Sequence, residues 1–299
     1  MASVLALYKR DAGNTKLKEH GSTHVGASAD GRASDIFSGA VAVVTGAGSG
    51  IGRALVAALA KRKARTIIAI DLDGSAVEHT ALIVGQETAT SVIAKRLDVT
   101  DEDAVRTCVA QAEREFGAID LWFSNAGVNR GEGIGSTLEW RIALDVNLLA
   151  HVYAARCVLP GMERRGAGRF VLTASAAGLL SDIRNAPYTV SKHALVGLAE
   201  WLAIGVGEGV KVSCVCPEGV LTGMTKADSK SAGPGINFIE AGEVAERTLV
   251  GVEEGQFLVL THPRTGEYEA RRVQDRQSWI SSMRKARTRS QGKSCLFAA

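Results

Sequence analysis

Residues 41–52, VAVVTGAGSGIG, join an apolar, β-branched run to a glycine-rich loop, and residues 51–62 continue with the apolar spacing of a helix. Glycine permits a tight turn and a close approach of the backbone to a ligand. The first N–H groups of the following helix and its dipole attract a phosphate group. The stretch therefore predicts a strand, a phosphate-binding loop and a helix, with an ordinary strand–helix turn as the alternative.

From residue 40 onward, short β-branched runs alternate with longer segments of helical period. This alternation is typical of βα units stacked on a parallel sheet, and nearly continuous apolar runs indicate strands buried on both faces. Seven strands are predicted, at Val41–Thr45, Thr66–Ile70, Ser91–Leu97, Leu121–Ser124, Arg169–Thr173, Val210–Val215 and Phe257–Leu260. Helices are predicted at Ile51–Arg62, Ser75–Val84, Asp101–Phe116, Leu138–Arg164, Tyr188–Gly205 and Gly242–Val252, with Asp73 and Thr100 as candidate caps of the second and third.

Neither an internal repeat nor a Pro-rich linker divides residues 38–262, which we predict to form one doubly wound α/β domain of about seven parallel strands with helices on both faces. Residues 1–37 lack periodicity and indicate a flexible extension, with a mitochondrial presequence as a disfavoured alternative. Residues 263–299 are predicted to hold one helix, Glu267–Lys285, and a basic tail. Solvation of this tail is favoured over anion binding.

The composition, 46% hydrophobic and 22% charged with a formal charge of +3, is that of a soluble globular protein without a nucleic acid partner. No apolar run reaches the ~18 residues that a membrane span requires. Five cysteines, an odd number, favour a reducing compartment, so we expect a cytoplasmic protein without a membrane partner. Cys214 and Cys216 should share one face of a strand as small apolar side chains, and no metal site is predicted.

Thr45, Gly46, Gly50 and Gly52 fit the pattern T-G-x-x-x-G-x-G, whereas G-x-G-x-x-G would require glycine at Ile51. The loop resembles that of the short-chain dehydrogenase/reductase family, whose members have an NAD(P)-binding Rossmann fold, and further motifs extend the resemblance over about residues 38–262. It implies a cofactor held partly by the glycine loop and partly by turns after the later strands. The implied contacts are Gly46, Ser49, Gly50, Ile51, Gly52, Asp71, Leu72, Asp98, Val99, Asn125, Ala126, Gly127, Tyr188, Lys192, Pro217, Val220 and Thr222.

Asp71 ends the second predicted strand, close to the ~20-residue offset at which a carboxylate meets the adenosine ribose hydroxyls. A carboxylate there would repel the 2′-phosphate of NADP. Neither Ser49 nor the adjacent Leu72 supplies the positive charge that NADP-preferring relatives often place in this region. NAD is therefore the predicted cofactor, with a capping or loop aspartate as the alternative.

Two of these turns have simpler interpretations, and a third departs from the family pattern. An Asp such as Asp98 before a helix is commonly a cap, and the residues of Asn125–Gly127 are common in turns. Residues 217–222, PEGVLT, resemble P-G-x-V-x-T, in which the backbone and the Thr hydroxyl fix the carboxamide of the cofactor. Glu218 stands where glycine is usual, so its role is unassigned.

Tyr188 and Lys192 lie four residues apart at the start of a helix, so their side chains share one face, separated by about 6 Å of rise. The pair fits the family pattern Y-x-x-x-K. Ser175 ends the fifth strand 13 residues earlier, where the family has its catalytic serine, and Asn147 matches the fourth catalytic position. The alternatives are a surface tyrosine with a chance spacing and a solvated or capping asparagine.

Removal of hydride from an alcohol carbon also requires removal of the hydroxyl proton, and a phenol with a pKa of about 10 needs nearby positive charge to accept it. Lys192 and the oxidised nicotinamide would lower the pKa of Tyr188. Ser175 would donate a hydrogen bond to the substrate oxygen. The resemblance implies that Lys192 also holds the nicotinamide ribose and that Asn147 positions a water leading protons to Lys192.

The sequence thus predicts an oxidoreductase that moves hydride between NAD(H) and an alcohol or ketone. Leu179, Leu180, Met224 and Phe238 favour a hydrophobic substrate, and residues 223–239 resemble a mobile lid. A dinucleotide sensor without catalysis is the alternative, and a lyase-like relative is a third, disfavoured by the intact glycine loop. The resemblance also implies a homodimer or homotetramer packed through helices 138–164 and 188–205.

Overall fold

The computed structural model describes residues 35–224 and 238–291, with side chains to residue 289. Residues 1–34 of the predicted extension, residues 225–237 of the predicted lid and residues 292–299 of the basic tail lie outside the described residues. The strands are β1 Val41–Thr45, β2 Thr66–Asp71, β3 Ser91–Arg96, β4 Leu121–Ser124, β5 Gly168–Thr173, β6 Val210–Val215, β7 Gly219–Leu221, β8 Phe238–Glu240 and β9 Leu258–Val259. The helices are α1 Gly50–Lys61, α2 Gly74–Glu87, α3 Glu102–Phe116, α4 Thr137–Leu144, α5 Ala150–Arg165, α6 Ala176–Leu179, α7 Ala186–Gly205, α8 Ala241–Glu253, α9 Pro263–Gln274 and α10 Arg276–Gln291.

Seven strands form one parallel sheet in the order β3-β2-β1-β4-β5-β6-β9, which confirms the predicted doubly wound α/β architecture. Two apolar clusters cover its faces. One contains Trp122 and Phe170 of the sheet with side chains of α3, α5 and α7, among them Met162, and the other contains Phe123 with side chains of α1, α2 and α8, among them Leu59. The strand order reverses between β1 and β4, and a crevice opens at such a point beyond the carboxyl ends of the strands.

A second, two-stranded parallel sheet of β7 and β8 was not predicted. It pairs Val220 with Ile239, and these two side chains pack with Val244 in a small apolar cluster of their own. Strands of three residues carry too short a pattern to be recognised in a sequence. β7 ends three residues before the undescribed segment 225–237, and β8 begins directly after it.

The predicted cap of α2 is confirmed, but the predicted cap of α3 is wrong. The Asp73 carboxylate accepts a hydrogen bond from the Ala76 N–H at 3.1 Å. The carboxylate of Asp101, not the Thr100 hydroxyl, accepts from the Ala104 N–H at 3.0 Å and caps α3. Asp101 directly precedes the first helical residue, which is the position from which a side chain reaches the free N–H groups of the first turn.

The long helix predicted at Leu138–Arg164 is continuous over residues 137–165 but contains a π-helical turn at Asp145–Leu149. Its length and a mean hydropathy of 1.4 match those of a membrane-spanning helix, contrary to the expectation that no segment does. The expectation was based on the length of uninterrupted apolar runs, whereas a mean hydropathy can be high even when the segment contains polar residues such as Asn147. In this structure 44% of the apolar window is buried.

The single helix predicted at Glu267–Lys285 is wrong, because the structure has two helices, α9 and α10, that meet at Asp275. The Asp275 carboxylate accepts a hydrogen bond from the Ser278 N–H at 2.9 Å, so this residue caps α10 rather than continuing α9. Pro263 starts α9 earlier than predicted, since its fixed φ suits the first helical turn.

Cys214 and Cys216 are buried on one face of the β6 region with their Sγ atoms 3.9 Å apart, as predicted. Hydrogen bonding to Cys214 and burial raise the pKa of the Cys216 thiol. Among the residues that the structure describes, no group of three or more His, Cys, Asp or Glu side chains is placed to hold a metal ion.

Candidate active site

The glycine loop requires glycine at three positions for different reasons. Gly46 and Gly50 have φ of +66° and +50°, in the left-handed region that side chains disfavour. At Gly52 the constraint is space, because a Cβ there would lie 1.9 Å from the carbonyl oxygen of Gly46. The loop therefore bends back on itself at the start of α1, with its backbone exposed to the crevice.

The N-A-G turn after β4 is fastened to the end of β1. The Thr45 hydroxyl oxygen accepts hydrogen bonds from the N–H groups of Asn125 and Ala126, at 2.9 and 3.0 Å. The Asn125 side-chain amide donates to the Thr45 carbonyl at 3.0 Å. These bonds hold together the two strands between which the sheet order reverses, and they form one wall of the crevice.

The crevice forms a cleft with a volume of about 600 Å³. Every residue predicted to contact the cofactor lines it: Gly46, Ser49, Gly50, Ile51, Gly52, Asp71, Leu72, Asp98, Val99, Asn125, Ala126, Gly127, Tyr188, Lys192, Pro217, Val220 and Thr222. Further lining residues that sequence reasoning missed are Asp73, Leu97, Val128, Val146, Thr173 and Ala174. All but Thr173 directly adjoin a predicted site residue in the sequence, as Val128 adjoins Gly127, so adjacency could have found them.

Asp71 lies at one end of the cleft and is held by the backbone. Its carboxylate accepts hydrogen bonds from the N–H groups of Gly48, at 2.8 Å, and Asp73, at 3.0 Å. The sequence-based expectation considered positive charge only at Ser49 and Leu72, but two arginines that it did not include lie near this end of the cleft. Arg53 donates to the carbonyl of Gly48, and the exposed Arg96 donates to the carbonyl of Leu72 at 3.3 Å.

Tyr188 lies in the first turn of α7, which begins two residues earlier than predicted. The Asn185 side chain accepts a hydrogen bond from the Tyr188 N–H at 2.9 Å and caps the helix, and Pro187 fits its first turn. The Asn185 amide also donates to the carbonyls of Arg130 and Gly131, at 2.9 and 2.8 Å. The loop after β4 therefore fixes the start of the helix that carries Tyr188.

Ser175, Tyr188 and Lys192 converge on the other end of the cleft. Lys192 is 3% exposed, its Nζ donates to the Thr173 carbonyl at 2.9 Å, and the same atom lies 5.9 Å from the centre of the Tyr188 ring. Ser175 Oγ accepts a hydrogen bond from the Ala177 N–H at 3.1 Å and donates to the Pro217 carbonyl at 3.4 Å, and the Ser175 side chain also acts to lower the pKa of Tyr188. The three side chains thus form one contiguous group that faces the glycine loop across the cleft.

Burial dominates the protonation of this group. It raises the pKa of Tyr188, and the effect of the Ser175 side chain, which lowers this pKa, opposes it only in part. It lowers the pKa of Lys192 to about 8. The sequence-based expectation that Lys192 lowers the pKa of Tyr188 is therefore not met by the protein groups on their own, because desolvation penalises the charged phenolate.

Asn147 lies within the π turn, fully buried behind the cleft. Its Oδ1 accepts from the Val128 N–H at 2.8 Å, and its Nδ2 donates to the Val128 carbonyl and the Ser191 hydroxyl. Since an amide oxygen accepts two hydrogen bonds, Oδ1 retains capacity for one more. A Cβ at Gly127 would lie 3.3 Å from both Asn147 Oδ1 and Lys192 Nζ, so the glycine leaves space between these atoms.

His151 is a buried residue near the site that sequence reasoning did not detect. Neither of its ring nitrogens has a hydrogen-bond partner, and the same holds for Nε1 of Trp122, on the same small cavity of about 10 Å³. Burial, reinforced by the charge of Lys192, lowers the pKa of His151 to about 3. The imidazole is therefore neutral in the folded protein at neutral pH.

Replacement of His151 should make the protein less sensitive to acid. Because the folded-state pKa is about 3, against 6.5 for a free imidazole, only the unfolded chain binds this proton between those values. The stability due to the neutral residue is present above pH 6.5 and falls as the pH drops toward 3. We expect wild type to lose about 2 kcal/mol more free energy of unfolding than His151→Phe between pH 7.5 and 5.0, measured with urea. The exposed His79→Gln should behave as wild type, and equal losses in all three proteins would contradict the assignment.

Residues 40–233 match the family model described as short chain dehydrogenase. The chain therefore belongs to the short-chain dehydrogenase family. It is 32% identical over 231 residues to human estradiol 17-beta-dehydrogenase 11, and the match covers 74% of each chain. It is 35% identical over 192 residues to 2-(R)-hydroxypropyl-CoM dehydrogenase of Xanthobacter autotrophicus, and this match covers 62% of this chain and 76% of the relative. A short chain dehydrogenase/reductase from Burkholderia phymatum, solved in complex with NAD, superposes with a TM-score of 0.73 at 31% identity, covering 81% of this chain and 95% of that one.

Proposed function

We propose that this protein is an NAD-dependent oxidoreductase that transfers hydride between NAD(H) and an alcohol or ketone, with Tyr188 as general acid/base. The observation that carries the proposal is the convergence of Ser175, Tyr188 and Lys192 on the cleft lined by the glycine loop. The similar proteins named above as dehydrogenases support the same class of reaction.

The residues of the cleft fit a dinucleotide. Because Gly46 and Gly52 have no side chains, the loop packs closely and its backbone is available to a pyrophosphate. Asp71 lies beside the position expected for the adenosine ribose. Asp98 and Val99 would contact adenine. At the other end, Pro217, Val220 and Thr222 would hold the carboxamide, and Lys192 the nicotinamide ribose. The bound nicotinamide would accept or give the hydride.

The protein groups then handle the proton. Because burial raises its pKa, Tyr188 holds its proton near neutral pH and is ready to donate it to a carbonyl oxygen. Ser175 donates a hydrogen bond to the same oxygen as charge develops there. In the oxidative direction Tyr188 must accept the substrate proton, which requires added positive charge beside the phenol. A water in the space between Asn147 Oδ1 and Lys192 Nζ would carry the proton onward.

We propose a hydrophobic secondary alcohol or ketone as the substrate. Met224 lines the cleft and is 50% exposed. Leu179, in contrast, is buried in the apolar core cluster that contains Trp122, which corrects its assignment to the pocket. The greater part of the predicted lid lies outside the described residues.

We further propose a cytoplasmic homodimer or homotetramer that packs through the helical segment 137–165 and α7. Support comes from large apolar side chains exposed on these helices, above all Trp201 and Ile204, at 70% and 85%. Exposed apolar patches commonly mark interfaces. We expect Trp201→Glu to lower the oligomeric mass measured by sedimentation equilibrium, and a monomeric wild type would contradict this interface.

Titration of the purified protein with NADH and NADPH by fluorescence, followed by an absorbance screen of secondary alcohols and ketones, tests the proposed function. We expect binding of NADH and turnover of at least one member of the panel. Binding of NADH without turnover of any member would instead favour a dinucleotide sensor. Absence of NADH binding would contradict the proposal altogether.

Replacement of Asp71 should shift the preference from NADH toward NADPH. Two unit charges 4 Å apart repel by about 4 kcal/mol at an effective dielectric constant of 20, so the carboxylate disfavours a 2′-phosphate. In Asp71→Ala this repulsion is gone while Arg53 and Arg96 remain close. We expect the ratio of the NADH and NADPH dissociation constants to change by at least ~10-fold in favour of NADPH, equivalent to about 1.4 kcal/mol. The remote Asp103→Ala should leave the ratio unchanged, and preference of wild type for NADPH would overturn the assignment of Asp71.

A further inference from the structure

Glu218 directly follows Pro217, after β6, and lines the cleft where the family pattern has glycine. Its carboxylate also makes a contact with α9. The hydroxyl of Thr265, in the first turn of α9, donates a hydrogen bond to Glu218 Oε1 at 2.5 Å. Thr265 is fully buried, so the contact lies within the protein rather than on its surface.

The backbone of Glu218 makes a second contact to the same region. Its N–H donates to Nδ1 of His262 at 3.3 Å, and the Thr261 hydroxyl lies 2.9 Å from the same nitrogen. Thr261 and His262 are also buried. Buried polar groups are costly unless they are hydrogen-bonded, so such a cluster favours one arrangement of its members. The start of α9 is thereby joined to the loop that follows β6.

The far end of α9 reaches the helix that carries Tyr188 and Lys192. Arg272, near the end of α9, donates a hydrogen bond to Nε2 of His193 at 3.2 Å. The other ring nitrogen of His193, Nδ1, then carries the proton and donates to the Thr189 carbonyl at 2.9 Å. His193 directly follows Lys192, so α9 contacts both the loop after β6 and the helix that carries Tyr188 and Lys192.

We propose that α9 is a positioning element of the active site, and that Glu218 is the residue through which it orders the nicotinamide-binding loop 217–222. Helix α9 lies beyond residues 40–233, the part of the chain that the family model matches. The Glu218 side chain, at the position where the family pattern has glycine, provides a contact to this additional helix. The role in cofactor binding rests on the proposed function, whereas the ordering of the loop does not.

Amide hydrogen exchange of the full chain without cofactor tests the ordering directly. Thr265→Val removes the hydroxyl that Glu218 binds, and we expect exchange in residues 218–222 to become about tenfold faster, as for the loss of one buried hydrogen bond. Thr288→Val removes an exposed hydroxyl of α10 that bonds within its own helix, so exchange in the loop should not change. Unchanged exchange in Thr265→Val would overturn the proposal.

Variants of Glu218 separate a positioning role from a merely structural one. Glu218→Gln keeps an oxygen that accepts from Thr265 and should retain slow exchange, whereas Glu218→Ala should exchange as fast as Thr265→Val. Combining Glu218→Ala with Thr265→Val should add no further effect, because both changes remove the same contact. Additive effects in this cycle would overturn the proposed pairing.

The consequence for the site is measured by titration of NADH in the same variants. We expect Thr265→Val and Glu218→Ala to weaken binding about fivefold to tenfold, with Glu218→Gln close to wild type. Faster loop exchange with unchanged NADH affinity would overturn the positioning role. Failure of wild type to bind NADH would contradict the proposed function instead, and the exchange results would still decide whether α9 orders the loop.

Discussion

Tyr188→Phe should lower kcat by about 10²- to 10⁴-fold, the range that a positioned general acid or base contributes. The substitution removes the phenolic hydroxyl but keeps the ring, whose centre lies 5.9 Å from Lys192 Nζ. NADH affinity should therefore stay close to that of wild type. The measurement is ketone-dependent oxidation of NADH followed by absorbance, together with a fluorescence titration of NADH.

Tyr153→Phe provides the matched control, since Tyr153 lies on α5 and does not line the cleft. Its kcat should equal that of wild type. If Tyr188→Phe kept a third or more of the wild-type kcat, another group would have to supply the proton. If it lost NADH binding together with turnover, the loss of activity would reflect a damaged site rather than a missing acid.

Gly52→Ala should be the most damaging single-methyl change in the cofactor loop. The new Cβ would lie 1.9 Å from the Gly46 carbonyl oxygen, and this backbone atom cannot turn away as a side chain could. Overpacking of a buried site typically costs about 1–3 kcal/mol, and a clash with the backbone belongs at or above the upper end. We expect loss of measurable NADH binding and a decrease of at least about 3 kcal/mol in the free energy of unfolding, measured with urea.

Gly85→Ala is the control for this experiment. Gly85 lies within α2, and a Cβ there would meet no atom within 4 Å. Alanine is favoured over glycine in helices by up to about 1 kcal/mol, so this variant should be as stable as wild type or slightly more stable. Similar behaviour of the two variants would show that the loop at Gly52 is not packed as described.

The sheet and the cleft could be predicted because both depend on local patterns. Each parallel strand was recognisable from its own apolar run, and the carboxyl ends of parallel strands meet at the same edge of the sheet. Asp71 ends one strand, and Asn125 and Ser175 come shortly after two others, so these positions already implied that the three residues lie along one cleft. Tyr188 and Lys192 were recognisable as a pair through helical spacing alone.

What could not be predicted depends on contacts between distant parts of the chain. His151 and Trp122 share a cavity only because α5 packs on the sheet, and neither residue type signals this in the sequence. The pKa of Tyr188 depends on the balance between burial and one hydrogen bond, whereas the sequence showed only a lysine four residues away. The contact between Glu218 and Thr265 joins residues 47 positions apart.

The small sheet of β7 and β8 has a consequence for how this protein can diverge. Its cluster of Val220, Ile239 and Val244 is separate from the two large clusters on the main sheet. Ile51 of the glycine loop packs against both this cluster and the large cluster that contains Leu59. Substitutions of Ile239 or Val244 can therefore alter the cleft, which Ile51 and Val220 both line, so ligand affinity can diverge while the seven-stranded sheet is inherited unchanged.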